Sequence, residues 1–450
     1  MNSTLFNLHG CSAVKDRRVE ELTLQYFTRS LVSLSLMAAS SLSLANTYPV
    51  GLDEVYQAAL SVSNEYRATQ QEAQSNQALA EAEQKYYMPK VQLTGEWNQY
   101  YGAQTPSPET TDALKLNVDM KLWGTGVDDK RSAAQNNTAA SELLVTGMEL
   151  SVYQTVLRYL AKIERTREYL ADNEIIAQRL DDYVQKQRNA SDEGSSSLSN
   201  LKEAELELSK FKDAVSRVRA SIDQMFRSLR EETNYQTETP EQVGISQTML
   251  TQLLAQDISL VTTEEVWQHN VELRNRTLLL DGQLNTANAQ RERFSVSLVN
   301  ETQLEVLGSD EWESGDVKNA SYIGLKATYD LFNYQNSQSQ KSAYHLYEAE
   351  NERVDLLKEQ MAAQLNSLQQ EFLDTKDKRE SLLEQIALNE DLVQTQEREL
   401  LINKLEYVDI VKSLAGLNDS YAKLLNYDLA LIDSVVDTMA LRSQRLAIND

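Results

Sequence analysis

The chain has 450 residues, a formal net charge of −25 at pH 7, and charged side chains at 25% of its positions. An acidic surplus of this size repels a phosphate backbone and excludes nucleic acid as a partner. The one cysteine, Cys11, lies in a segment that we predict to be removed, so the mature chain has no disulfide and no thiolate metal site.

The remaining histidines, His269 and His345, do not have the spacing of a metal site. The sequence also shows neither a glycine-rich phosphate loop nor the Gly-x-Ser-x-Gly turn of a hydrolase. We therefore predict that the protein is not an enzyme and uses no cofactor.

Residues 1–45 have the pattern of a secretory signal peptide. Basic residues, among them Arg17 and Arg29, precede an apolar run over 30–44, and small residues follow at Ser43 and Ala45. A retained membrane anchor is the alternative, but the run of roughly 15 residues is shorter than the roughly 20 that a spanning helix needs.

Two pairs of segments alternate apolar and polar residues and predict β-strands. The first pair covers about 90–101 and 113–123, and the second covers about 293–307 and 320–332. Strands of about ten residues with one apolar face and one charged face fit a barrel with lipid outside and water inside. A soluble sheet covered on one face is the alternative.

Long helical hairpins are predicted over about 127–232 and 335–447. No proline follows Pro240, and proline costs about 3 kcal/mol inside a helix, so long helices are permitted there. Seam positions three and four residues apart have the period of a coiled coil. They are Leu365, Leu368, Phe372, Thr375, Arg379, Leu382, Ile386, Asn389 and Val393 on the outgoing helix, and Leu417, Tyr421, Leu424, Asp428, Leu431, Val435 and Thr438 on the returning one.

The chain repeats its own plan. Trp123 closes one strand before a long helix, Phe332 does the same 209 residues later, and the same shift relates Gly194 to Asn403 at the helical turns. We predict a first repeat at 46–234, an equatorial linker at 235–262 and a second repeat at 263–447. Four strands cannot close a membrane barrel, since open edges are not tolerated in lipid and the smallest barrels have about eight strands. Three copies would supply twelve.

This doubled order of elements resembles the TolC-like outer-membrane efflux proteins. The segment Leu52–Leu60 (LDEVYQAAL), the segment Ala80–Leu93 (AEAEQKYYMPKVQL) and the turn at Gly194 carry the resemblance. It implies a mainly α protein with membrane β-strands: a homotrimer with a 12-stranded barrel in the Gram-negative outer membrane and a helical tunnel in the periplasm. The implied partners are a periplasmic adaptor and an inner-membrane ABC or proton-driven pump.

The resemblance also implies a periplasmic constriction near the second turn. Asp409 matches the first of two acidic residues that are common in the family, whereas Lys412 departs from the second; Asn200 is the equivalent of Asp409 in the first repeat. The expected adaptor-docking tips are Gly194, Ser195, Ser196, Leu198, Asn403, Lys404, Leu405 and Glu406. The expected function is an exit duct in multidrug efflux or type I protein secretion, and the alternative is a periplasmic coiled-coil adaptor or scaffold.

Overall fold

A computed structural model describes residues 50–100, 109–235, 240–290, 293–307, 320–401 and 405–446. The chain divides into Met1–Thr47 and Tyr48–Asp450, and every described residue belongs to the second unit. The predicted signal peptide and the tip residues Asn403 and Lys404 lie outside the described residues.

The first half contains two short helices, two strands and a long helical hairpin. These are α1 (Leu52–Val62), α2 (Asn64–Gln84), β1 (Lys90–Tyr100), β2 (Glu109–Gly124), α3 (Val127–Asp192) and α4 (Leu198–Thr233).

A connecting segment with short helices leads into a second half of the same plan. Its elements are a 3-10 turn (Pro240–Gln242), α5 (Gln247–Leu254), a second 3-10 turn (Ile258–Leu260), α6 (Thr263–His269), α7 (Val271–Ala289), β3 (Phe294–Leu307), β4 (Ala320–Tyr329), α8 (Tyr334–Leu400) and α9 (Tyr407–Leu441). The long helices α3 and α8 have 66 and 67 residues, and the returning helices α4 and α9 have 36 and 35. At 1.5 Å per residue the long helices extend about 100 Å.

The boundaries of these helices follow from local chemistry. Gly126 precedes α3 with φ of +83°, and a Cβ atom there would lie 2.6 Å from the carbonyl oxygen of Ala289, so only glycine fits. The side chain of Asn333 caps α8 by accepting a hydrogen bond from the backbone N–H of Asn336. Strand β4 ends at Tyr329, three residues before the predicted end, because the chain turns there into this cap.

With the sheet taken as the top of the molecule, the helices nearest to it form one layer. Helix α2 packs on α3, α3 packs on α7, and α7 packs on α8, so α2 and α8 lie at opposite margins of this layer. Helix α9 continues the line of α7, and Asn270 Nδ2 donates a hydrogen bond of 2.9 Å to the carbonyl oxygen of Leu441 at the junction. Below the junction, α9 packs against α3, α4 and α8.

The connecting segment lies against the long helices at mid-height. Gln369 on α8 donates hydrogen bonds to the carbonyl oxygens of Ile258 and Val261, at 3.0 and 2.8 Å. Val50 pairs with Val243 in an isolated parallel bridge, which ties the start of the described chain to the same segment.

The four strands form one antiparallel sheet in the order β1-β2-β3-β4. Leu93 pairs with Leu116, and Leu298 pairs with Leu325, on a face whose outer members are open to solvent in the single chain; Leu93 is 65% exposed and Ile323 is 72% exposed. The other face carries Lys115, Asn117, Asp119, Glu301 and Lys326. The predicted combination of a mostly helical chain with a small antiparallel sheet is confirmed.

A search of the described helices finds none that is both long enough and apolar enough to cross a membrane.

A fully buried carboxylate joins the two halves. Asp428 on α9 accepts a hydrogen bond from Arg165 Nε of α3 at 2.7 Å and another from Arg379 Nε of α8 at 2.6 Å. Further out on the same contact, Lys162 pairs with Asp433 at 2.6 Å and Arg158 pairs with Asp437. The side chain of Asp428 thus joins α3, α8 and α9.

Replacing Asp428 by alanine leaves two guanidinium groups facing each other without their shared acceptor. We expect a loss of about 3–5 kcal/mol in the free energy of unfolding, which is typical when one partner of a buried ion pair is removed. The matched control is Asp433→Ala, where the carboxylate side chain is 37% exposed and a loss of at most about 1 kcal/mol is expected. Denaturant unfolding, followed by circular dichroism of the helices, measures the loss of stability in each variant. Equal losses would contradict the larger contribution of the buried carboxylate.

Candidate functional site

The first tip is the turn between α3 and α4. Gly194 has φ of +76°, and the backbone N–H groups of Ser195 and Ser196 both donate to the carbonyl oxygen of Ala190, at 2.8 and 3.0 Å. These hydrogen bonds give a backbone carbonyl oxygen at the end of α3 its partners, and they require a left-handed backbone conformation at Gly194. A Cβ atom built on Gly194 has no other atom within 4 Å, so the turn faces open space.

The two tips are joined by the carboxylate of Glu406. Its Oε2 atom accepts a hydrogen bond from the hydroxyl of Ser196 at 3.2 Å and another from the side-chain amide of Asn200. Gln187, which is buried, donates to the Ser196 hydroxyl at 2.6 Å and orients it. The sequence predicted these three tip residues as separate docking or constriction positions, whereas the structure brings them into one contact between the repeats.

Asp409 stabilises the start of α9. Its Oδ2 atom accepts a hydrogen bond of 3.2 Å from the backbone N–H of Glu406, and the carboxylate is half-buried. A carboxylate in the first turn of a helix also interacts favourably with the helix dipole. Asp409 therefore caps α9, a role that its match to the family pattern did not predict.

Lys412 pairs across the hairpins rather than along its own helix. Its Nζ atom lies 2.9 Å from Glu203 Oε1 on α4, and that hydrogen bond raises the pKa of Lys412. The remaining predicted tip residues that the structure describes include Leu198 and Leu405. Leu198 is 65% exposed. Leu405 lines a cavity of about 600 Å³ with Lys186, Glu193, Leu400 and Tyr407.

A second contact between the repeats lies just above the tips, and no pattern in the sequence predicted it. Glu397 on α8 accepts hydrogen bonds from Tyr183 Oη at 2.7 Å and Arg179 Nη2 at 2.6 Å, both on α3. Burial alone would raise the pKa of Glu397, but these two donors outweigh it, and the pKa lies below its ordinary value. Burial and the bond to Glu397 raise the pKa of Tyr183.

No family model matches the chain, and no curated protein matches it in sequence. Solved structures do match. The outer membrane channel MtrE of Neisseria gonorrhoeae in its open state has a TM-score of 0.65 at 13% identity, covering 90% of this chain and 94% of that one. The outer membrane channel CmeC of Campylobacter jejuni has a TM-score of 0.63 at 14% identity, covering 87% and 85%.

CusC, whose structures concern transmembrane channel formation, has a TM-score of 0.67 at 14% identity, covering 90% of this chain and 99% of that one. This chain has the fold of these outer membrane channels. The resemblance seen in the sequence is confirmed at the level of the fold, and it extends over almost the full length of the described unit. Within the TolC-like fold, the residues around Glu406 form the end of the helical part that lies farthest from the sheet.

The Glu397 contact predicts a defined response to acid. A group with a lowered pKa contributes its full stabilisation above its ordinary value of 4.5 and loses it as the pH falls through the lower folded value. We expect Glu397→Gln to reduce the free energy of unfolding by up to about 1 kcal/mol near neutral pH, because the contact is partly exposed. The difference should shrink as the pH falls below that ordinary value and vanish once the pH is below the lower pKa of the folded state.

Denaturant unfolding at a series of pH values measures this difference. The control is Glu384→Gln, at an exposed glutamate on the same helix, which should give a small change. A Glu397→Gln difference that grows in acid would contradict the assignment.

Proposed function

We propose that three copies of this chain form an exit duct in the Gram-negative outer membrane, through which an efflux system releases its substrates. The observation that carries the proposal is that, among the described residues, the four-stranded sheet has no strand beyond β1 or β4, which leaves two free margins. The apolar face of this sheet has the character of a lipid-facing surface. Both margins must find partners if that face meets lipid, because unpaired backbone groups there cost several kcal/mol each.

Strand direction makes closure by further copies possible. In an antiparallel sheet of four strands, β1 and β4 run in opposite directions, so β4 of one copy can pair with β1 of the next in the same antiparallel manner. Three copies then give a barrel of twelve strands, an even number as in bacterial outer-membrane barrels. The helical layers below would close into a tunnel by the same rotation.

A periplasmic adaptor and an inner-membrane ABC or proton-driven pump are the proposed partners. The duct itself supplies no energy and no chemistry in this proposal. The cargo is either small molecules in multidrug efflux or proteins in type I secretion. The similarity to MtrE, CmeC and CusC supports the fold of such a duct and leaves both cargo classes open.

We also propose that Asp409 contributes a ring of three carboxylates to the lumen at the narrow end of the duct. Asp409→Asn separates charge from structure, because the amide oxygen still accepts the hydrogen bond from the N–H of Glu406. In planar bilayers this variant should keep channel activity and lose part of its block by multivalent cations. Unchanged cation sensitivity would remove Asp409 from the lumen, and the absence of any channel from the parent protein would contradict the duct itself.

The tips are the proposed docking surface for the adaptor. Gly194→Trp places a bulky side chain where a Cβ atom meets open space, so the trimer should remain intact while adaptor binding and export are lost. Gly194→Asn is the matched control, since asparagine tolerates the left-handed backbone without the bulk. Co-purification with the adaptor and an export assay measure both variants, and normal export by Gly194→Trp would refute this surface.

A further inference from the structure

The free margins of the sheet determine which connecting segments meet between copies. Strand β4 ends at Tyr329 on the side of the sheet nearest the helices, and β1 begins at Lys90 on the same side. If β4 of one copy pairs antiparallel with β1 of the next, the last residues of β4 lie beside the first residues of β1. The residues that follow β4 then come close to the residues that precede β1 of the neighbouring copy.

Both connecting segments expose large apolar side chains in the single chain. After β4, Leu331 is 91% exposed and Phe332 is 86% exposed. Before β1, Tyr87 is 49% exposed and Met88 is 57% exposed. Apolar side chains clustered in this way at the margin of a subunit are characteristic of an interaction surface.

The adjacent tyrosine of the same segment already has partners within the chain. The hydroxyl of Tyr86 donates to the carbonyl oxygen of Leu122 at 3.5 Å, and the guanidinium of Arg131 lies 5.9 Å from the centre of its ring. Tyr86 thus holds the connection between α2 and β1 against Leu122 of β2 and Arg131 of α3, next to the exposed Tyr87 and Met88.

The apolar surface continues down both margins of the helical layer. Leu79 on α2 is 61% exposed, and Leu346 on α8 is 62% exposed. Helix α2 and helix α8 are the same two margins that carry β1 and β4 above them. The exposed leucines therefore extend the surface along the line on which two copies would meet.

We propose that Leu331 and Phe332 of one copy pack against Tyr87 and Met88 of the next copy. This apolar junction occurs three times around the ring, at the level where the barrel passes into the tunnel. The proposal rests on the trimeric duct proposed above and names the side chains that join its subunits below the strands. The occupant of this surface is a second copy of the chain, as the continuity with the free strand margins requires.

An engineered disulfide tests the junction. Met88→Cys and Phe332→Cys are combined in a Cys11→Ser background, so no other thiol remains. Within one chain, β1 and β4 are three strand spacings apart, about 14 Å, and a disulfide needs Cα atoms within about 7 Å. Mild oxidation in isolated outer membranes should therefore give covalent trimers on non-reducing gels. Each single variant should give none, and mixed assemblies of the two single variants should give covalent dimers only.

A second pair, Tyr87→Cys with Leu331→Cys, serves as an independent test if the first pair does not assemble. If either variant forms a trimer of native mass but neither pair crosslinks, and both cysteines react with a maleimide, the junction is overturned and a lipid surface covers these side chains instead. If the parent protein itself is not trimeric, the proposed duct fails together with the junction. Failure of the junction and failure of the duct are thus separate results.

Discussion

Unpaired backbone groups along two margins of one small sheet are the constraint on which the proposed duct depends. In the part of the chain that the structure describes, β1 and β4 each present one edge of N–H and C=O groups without a strand beside it, and the sheet face that joins them is apolar. In lipid such edges must be paired. The helical layer next to the sheet ends on the same two sides, because α2 and α8 are its outermost helices. In the proposed duct, the sheet and the helices of one copy would therefore meet the same neighbouring copies.

Inside the chain, the two repeats are joined by contacts of unequal strength. At mid-height, Asp428 is fully buried between Arg165 and Arg379, and removing it is costly. At the tips, Glu406 is exposed where it meets Ser196 and Asn200, and exposed polar contacts contribute little to stability. Of these two carboxylates, the buried one at mid-height therefore contributes more to joining the repeats.

Much of this fold could be predicted because its elements are long and regular. Alternation along the strands and the absence of proline after Pro240 predicted a mostly helical chain with a small sheet. The seam predicted on α8 and α9 included Arg379 and Asp428 as polar interruptions. The structure shows that these two residues bind each other at 2.6 Å. Helical periodicity places a residue on a face, but the partner on another helix depends on how the helices cross.

The candidate site was less accessible to sequence reasoning for the same reason. Asp409 was selected by its position in the second turn, and its hydrogen bond to the N–H of Glu406 depends on how the chain enters α9. No sequence pattern distinguished Glu397 from the other glutamates of a charged helix. Its role depends on Tyr183 and Arg179, which the fold places beside it. The contact between Glu406 and Asn200 joins residues 206 positions apart.

The native mass of the protein extracted from outer membranes in detergent tests the central claim most directly. The proposed duct predicts three chains per particle, and this stoichiometry should persist after the detergent contribution is subtracted. A particle of one or two chains, or recovery of the protein in the periplasmic fraction without detergent, would contradict the ring of three chains and favour a coiled-coil scaffold.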